Sequence, residues 1–186
     1  EKAEARKDWI REMAGRENIV LVAIDMQGMS EPDIVSWGEV LLSDPSRLPL
    51  LAEQVEQGLV NHLAIQRMMR GRFANAVEAE FTDQGAPLYD PEQIYYYGNS
   101  QGGMMGSIIS SVSVDVTRGV VGVPACAFAL LLQRSVGFGD FSPILRLTWT
   151  GRDFVALLAV VQSGLSRIEA VTYSVRVSDP PWPDTP

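Results

Sequence analysis

The chain has 186 residues, enough for one domain with a buried core, and its 46% hydrophobic and 20% charged content is ordinary for a globular protein. A net charge of −8 without any Lys/Arg cluster argues against a nucleic-acid-binding surface. The single cysteine, Cys126, excludes an internal disulfide, and its apolar neighbours predict a buried, unreactive thiol.

The sequence has no apolar run of membrane-spanning length and no recognisable signal peptide. We therefore expect no membrane span and a soluble chain, either cytoplasmic or secreted after removal of a leader. No group of His, Cys, Asp and Glu has metal-ligand spacing, so we expect neither a metal nor another cofactor.

The N-terminal third predicts a helix, a strand and a loop. Residues 2–14 have amphipathic spacing, with Ile10 and Met13 toward the core and Gly15 ending the helix. The continuous apolar run 19–24 is typical of a strand buried on both faces. The loop at its carboxyl end, residues 25–30, is called the rim loop below.

A long helix is predicted at 46–70, and it carries His62, the only histidine in the chain. Residues 71–92 are predicted to be an excursion that ends in a turn at Asp90-Pro91.

The next stretch, 94–106, organises the rest of the chain. Four β-forming residues lead into Gly98, Ser100 and Gly102 in the spacing Gly-x-Ser-x-Gly, and the pattern then becomes helical. This is the sequence form of a nucleophile elbow, a tight strand-to-helix turn that exposes a serine hydroxyl. The strand and helix backbones pass close to each other at this turn, so the residues two positions before and after the serine must be small. Both are glycine here.

Three further segments complete the chain. Residues 118–124 predict a short strand, and the apolar stretch that follows is helical to about residue 168. We therefore divide the chain into a core at 1–124, a helical cap-like or core segment at 125–168, and a Pro-rich tail at 169–186.

Strands that alternate with helices predict an α/β fold, with a doubly wound parallel sheet and helices on both faces. Ligand sites in such folds gather at the carboxyl ends of the strands. The rim loop and the Ser100 turn both follow strands, so they are expected to share one rim of the sheet.

At these two loops the chain resembles α/β-hydrolases of the serine-nucleophile branch. Residues 98–103 match the family's elbow, and Asp25, Gly28 and Ser30 match the loop after the preceding strand. The resemblance covers roughly residues 1–165. It implies that Ser100 is the nucleophile, that the Gln101 N–H is one oxyanion-hole donor, and that the substrate is a small carboxylic ester cleaved through an acyl-enzyme.

The chain also departs from the family pattern. No histidine follows Ser100, the second oxyanion donor has no counterpart, and about three strands are readable where the family has eight. We therefore expect an incomplete sheet, a truncated α/β-hydrolase fold. Because such a sheet has two open edges, we expect a homo-oligomer or a complementing hydrolase segment as partner.

The sequence offers several candidates for the general base and the acid of the triad. The helix is expected to leave the active rim near Pro49, which places His62 about thirteen residues along it, or roughly 20 Å at 1.5 Å per residue, too far to reach Ser100 in the same subunit. It is therefore either structural, or catalytic across a subunit contact. For Asp25 we favour organisation of the rim loop, whereas Asp115 and Asp140 are acids without an evident partner.

Three functions compete. The first is a serine ester hydrolase acting through Ser100. The second is a catalytically incompetent hydrolase fragment that serves as a binding or assembly module. The third, in which Ser100 binds a phosphate at the glycine turn, lacks the Gly-x-x-x-x-Gly-Lys-[Ser/Thr] spacing of phosphate loops.

Overall fold

The structure, a computed structural model, describes residues 5–76, 82–139 and 141–177 and is a mixed α/β chain. The described helices are α1 (Asp8–Arg16), α2 (Ile34–Ser43), α3 (Leu48–Arg70), α4 (Gln101–Val112), α5 (Phe128–Arg134), α6 (Phe141–Thr148), α7 (Gly151–Leu165) and α8 (Ala170–Tyr173). The described strands are β1 (Thr82–Asp83), β2 (Ala86–Pro87), β3 (Tyr95–Asn99) and β4 (Arg118–Gly122).

Two small sheets form among these strands. β1 and β2 pair antiparallel through a turn in which Gln84 and Gly85 both have positive φ. β3 and β4 pair parallel, with Tyr95 opposite Arg118 and Asn99 opposite Gly122. The strand–helix–strand unit predicted around Ser100 is therefore present.

The strand predicted at 19–24 is absent from both sheets. Ile19, Val20 and Val22 each leave nearly half of their surface exposed. An apolar run marks a buried strand only when a neighbouring strand takes up its N–H and C=O groups, and hydrophobicity alone does not specify that neighbour.

Among the described residues, helices cover only one face of the parallel sheet, which corrects the prediction of helices on both faces. Helix α4 packs across β3 and β4, and the ring of Tyr96 stands against Gly106 of that helix. Side chains alternate along a strand, so Tyr95 and Tyr97 lie on the opposite face, where they are 51% and 60% exposed. Val120, paired with Tyr97, is 62% exposed.

The helix predictions for the N-terminal half are close to the structure. Helix α3 spans Leu48–Arg70 and buries His62 together with its apolar face. Helix α1 buries Ile10 but continues to Arg16, beyond the predicted stop at Gly15. The residue with left-handed φ after this helix is Asn18, at 52°. Residues 2–4 of the predicted helix lie outside the described range.

The helices after β4 belong to the same hydrophobic core as the residues before it. One cluster joins Leu51 and Val55 of α3 and Met105 of α4 to Phe128, Leu132, Leu145, Phe154, Leu157, Val161, Leu165 and Ile168. The prediction that Cys126 is buried is wrong, because its side chain is exposed just before α5. Asp140 and residues 178–186 of the predicted tail lie outside the described residues.

Within the described ranges no single helix has both the length and the apolar composition to cross a membrane. The bent pair 151–168 and 170–176 meets both criteria only when its two parts are taken together. Phe154, Val161 and Leu165 of that pair are buried in the core described above.

Candidate functional site

Ser100 occupies the single residue between β3 and α4, and its backbone is strained. Its φ is 55° and its ψ is −114°, a region that residues with a Cβ rarely adopt. Its N–H donates to the Gly122 carbonyl at 2.9 Å, and its own carbonyl accepts from the Met104 N–H at 3.0 Å. The turn is thus fixed to the end of β4 and to the first turn of α4.

The Ser100 side chain is exposed and does not cap the helix that it precedes. It makes no side-chain hydrogen bond with any other residue in the part of the chain that the structure describes. A serine before a helix commonly accepts a hydrogen bond from an N–H of the first turn. Here the backbone instead holds the hydroxyl toward solvent at the rim of the sheet.

Close backbone packing explains only some of the glycines around this turn. A Cβ on Gly98 would overlap the Gly102 carbonyl, and one on Gly103 would lie 2.5 Å from the Gly122 carbonyl oxygen. A Cβ on Gly102 would meet only the Tyr96 hydroxyl, at an ordinary 3.8 Å. Gly98 and Gly103 are therefore required by contacts, whereas Gly102 has room for a side chain.

Tyr96 contributes a contact that the sequence did not reveal. Its hydroxyl donates to the Gly102 carbonyl at 2.7 Å, so the strand side chain closes over the first turn of α4. The sequence indicated only strand packing for the run 95–97. In the sequence, Gly106 is the residue that could have indicated this contact, because a glycine there leaves the space that the Tyr96 ring fills.

Gln101 links the elbow to the rim loop. It is the first residue of α4, so its backbone N–H has no acceptor within the helix and stands beside Ser100. Its side-chain Nε2 donates to the Met29 carbonyl at 2.7 Å, across 72 positions of sequence. The two loops predicted to share one rim are therefore in contact.

The rim loop is a folded turn rather than an open strand end. Gly28 has a φ of 84° and lies against the backbone of Val55, where no Cβ fits. The Trp37 indole N–H donates to the Gly28 carbonyl at 2.7 Å, a contact for which the sequence held no signal. Asp25, at the start of the loop, is exposed.

His62 is buried in the middle of α3, only 8% exposed. The helix passes the rim loop near Gly58, which packs on the Gln27 backbone, and not near Pro49 as the sequence predicted. His62 lies one turn beyond Gly58, about 6 Å along the axis. One turn further, Gln66 accepts from the Ser113 hydroxyl at 2.7 Å, beyond the far end of α4. The imidazole thus lies inside the helix packing, whereas Ser100 faces solvent.

Burial lowers the pKa of His62 below its ordinary value of 6.5. Protonation therefore favours the unfolded chain, and the free energy of unfolding is expected to fall as the pH drops from 6.5 through the folded pKa. Urea unfolding at about pH 7.5 and about pH 5.5 measures this loss. The His62→Gln variant should lose less stability over that interval. An equal pH dependence in both proteins would contradict the prediction.

Asp115, for which the sequence suggested no partner, is a structural acid. It is buried after α4, and its Oδ2 lies 3.2 Å from the Arg67 Nε, with the Arg70 guanidinium 3.8 Å from Oδ1. These contacts join α3 to the segment between α4 and β4, at the end of α4 away from Ser100. Among the described residues no group of three or more His, Cys, Asp or Glu could hold a metal ion.

Comparison with known protein families, characterised proteins and solved structures finds no match to this chain.

Proposed function

We propose that this chain is the central part of an α/β-hydrolase and that Ser100 attacks carboxylic esters. The observation that carries the proposal is the Ser100 backbone: a positive φ at a strand-to-helix turn with its hydroxyl exposed and unused by the helix. A phosphate-binding turn does not need this strain at a serine, because backbone N–H groups provide its contacts.

The reaction would be acyl transfer in two steps. The Ser100 Oγ attacks the ester carbonyl, and the negative oxygen that forms accepts a hydrogen bond from the Gln101 N–H. The ester C–O bond breaks and the alkoxide leaves as an alcohol, carrying the proton that the Ser100 hydroxyl gave to the base, and water then hydrolyses the acyl-serine to the acid and restores the hydroxyl. The N-terminus of α4 adds its positive partial charge at the same point.

The proton acceptor for Ser100 is not His62 in our proposal, either in the same chain or across a contact between copies. The imidazole is buried, and it is the only histidine in the sequence. A homo-oligomer would therefore offer no exposed histidine. This favours a base supplied by a different polypeptide segment, the complementing partner that the open sheet would accept.

Intact-mass spectrometry after incubation with a fluorophosphonate tests the proposal. We expect one adduct on the folded chain and none on the Ser100→Ala variant, with slow labelling because the buried His62 does not serve as the base. Urea-unfolded chain is the second control, since an activated serine reacts only when folded. Equal labelling of folded and unfolded chain, or no labelling at all, would exclude an activated Ser100.

A second function, a non-catalytic binding or assembly module, is favoured by the exposed face of the sheet. Tyr95, Tyr97 and Val120 form an apolar surface on the face opposite α4. Exposed apolar patches of this kind commonly mark interaction sites. Absence of the adduct, together with self-association in sedimentation velocity that is lost in Tyr97→Ser, would support this function over catalysis.

A further inference from the structure

The geometry points to Gln101 as a positioning residue that couples the rim loop to Ser100 through its side chain, an inference that rests on the proposed function. Its backbone N–H is the proposed oxyanion donor. The side chain has a separate role, because its Nε2 donates a hydrogen bond to the Met29 carbonyl at 2.7 Å.

The internal bonds of the rim loop show why this contact matters. The Met29 N–H donates to the Met26 carbonyl at 3.0 Å, and the Ser30 N–H donates to the Asp33 carboxylate at 2.9 Å. These bonds fold the loop on its own segment. They do not fix its distance from the elbow.

Two other hydrogen bonds hold the loop, and they come from helices α2 and α3 rather than from the elbow. The Trp37 indole binds the Gly28 carbonyl, and the Asn61 amide donates to the Gln27 Oε1 at 3.2 Å from α3. The hydrogen bond from Gln101 joins the loop directly to the residue that follows Ser100. Its loss would remove this direct link between the loop and the elbow.

In this proposal the loop borders the space that the ester enters, because the Met29 carbonyl lies within hydrogen-bond distance of the residue that follows Ser100. Misplacement of a group around a reacting centre by about 1 Å can reduce the rate about a hundredfold. The Gln101 side chain is exposed, so its single hydrogen bond is weak, and we expect an effect of about three- to tenfold.

The test compares three variants by fluorophosphonate labelling and by amide hydrogen exchange of residues 26–30. Gln101→Met keeps the backbone N–H and the side-chain length but has no donor. Gln101→Lys restores a donor on a flexible stem. Gln133→Met is the matched control, because the Gln133 Nε2 also donates to a backbone carbonyl, that of Ala129 at 3.1 Å, far along the chain in α5.

We expect Gln101→Met to slow labelling and to speed exchange of the Met29 and Ser30 amides, each about three- to tenfold, with an unchanged urea midpoint. Gln101→Lys should recover both readouts, and Gln133→Met should change neither. Labelling of Gln101→Met at the native rate would overturn the inference, as would a loss of labelling without faster loop exchange. If the native chain itself is not labelled, the proposed function fails, and the exchange data alone decide whether Gln101 holds the loop.

Discussion

Replacing Gly98 with alanine is expected to destabilise the chain by about 2 kcal/mol or more, whereas the same change at Gly102 should be neutral or stabilise it by up to about 1 kcal/mol. The two glycines are equivalent in the Gly-x-Ser-x-Gly pattern. A new methyl group on Gly98 would overlap the carbonyl of Gly102, which belongs to backbone and cannot rotate away. On Gly102 the methyl group would enter free space beside Tyr96.

Gly102 lies in the first turn of α4, where alanine is a better helix former than glycine. Urea unfolding followed by tryptophan fluorescence measures both substitutions, since the chain has four tryptophans. Fluorophosphonate labelling is expected to be lost in Gly98→Ala and kept in Gly102→Ala. Equal destabilisation by the two substitutions would contradict the close approach of strand and helix at Gly98.

Local patterns in the sequence were sufficient to predict the elements that depend on local structure. The period of the apolar residues in α3 and α4 and the turn at Ser100 follow from backbone and helix geometry within about 25 residues. The contact between the rim loop and the elbow was expected in general terms, because both follow segments that the sequence predicts to be strands. The bond that forms it, from Gln101, was not expected, and neither was the bond from Trp37 that holds the rim loop to α2, since both acceptors are backbone carbonyls that any residue provides.

Features that depend on which surfaces meet were predicted less well. The apolar run 19–24 looked like a buried strand, but no strand pairs with it in the described structure. Cys126 was expected to be buried because its neighbours are apolar, yet it precedes α5 on the surface. The depth of His62 depends on where α3 passes the rim loop, and the sequence placed that crossing too early in the helix.

Glu169 is a further residue with a structural role that no sequence pattern indicated. It is 1% exposed, and its carboxylate accepts from the Phe128 N–H at the start of α5 and, at 2.7 Å, from the Gln162 side-chain amide. Phe128 follows Ala127, whose φ of 67° turns the chain into the helix. The acid therefore supplies, from 41 residues away, an acceptor for the first N–H of the helix, which has no acceptor within the helix itself.

Glu169→Ala is expected to lower the free energy of unfolding by about 3 kcal/mol, because it leaves the buried Phe128 N–H without an acceptor and removes two hydrogen bonds to a carboxylate. Glu169→Gln should lower the free energy of unfolding by roughly half as much. The carbonyl of the new side chain can still accept from the Phe128 N–H, but its NH2 group cannot accept from the amide of Gln162. Glu53→Ala is the surface control: its exposed carboxylate lies 3.6 Å from Arg167, and its loss should cost at most about 0.5 kcal/mol.

Urea unfolding of the three variants ranks their free energies of unfolding. Hydrogen exchange at the Phe128 amide shows whether the lost stability lies at the start of α5. This helix begins six residues after β4, the strand whose last carbonyl accepts from the Ser100 N–H. Glu169→Ala should therefore also slow labelling of Ser100 if the helix fixes the end of β4. An effect no larger than that of Glu53→Ala would mean that the buried carboxylate does not hold the helix in place.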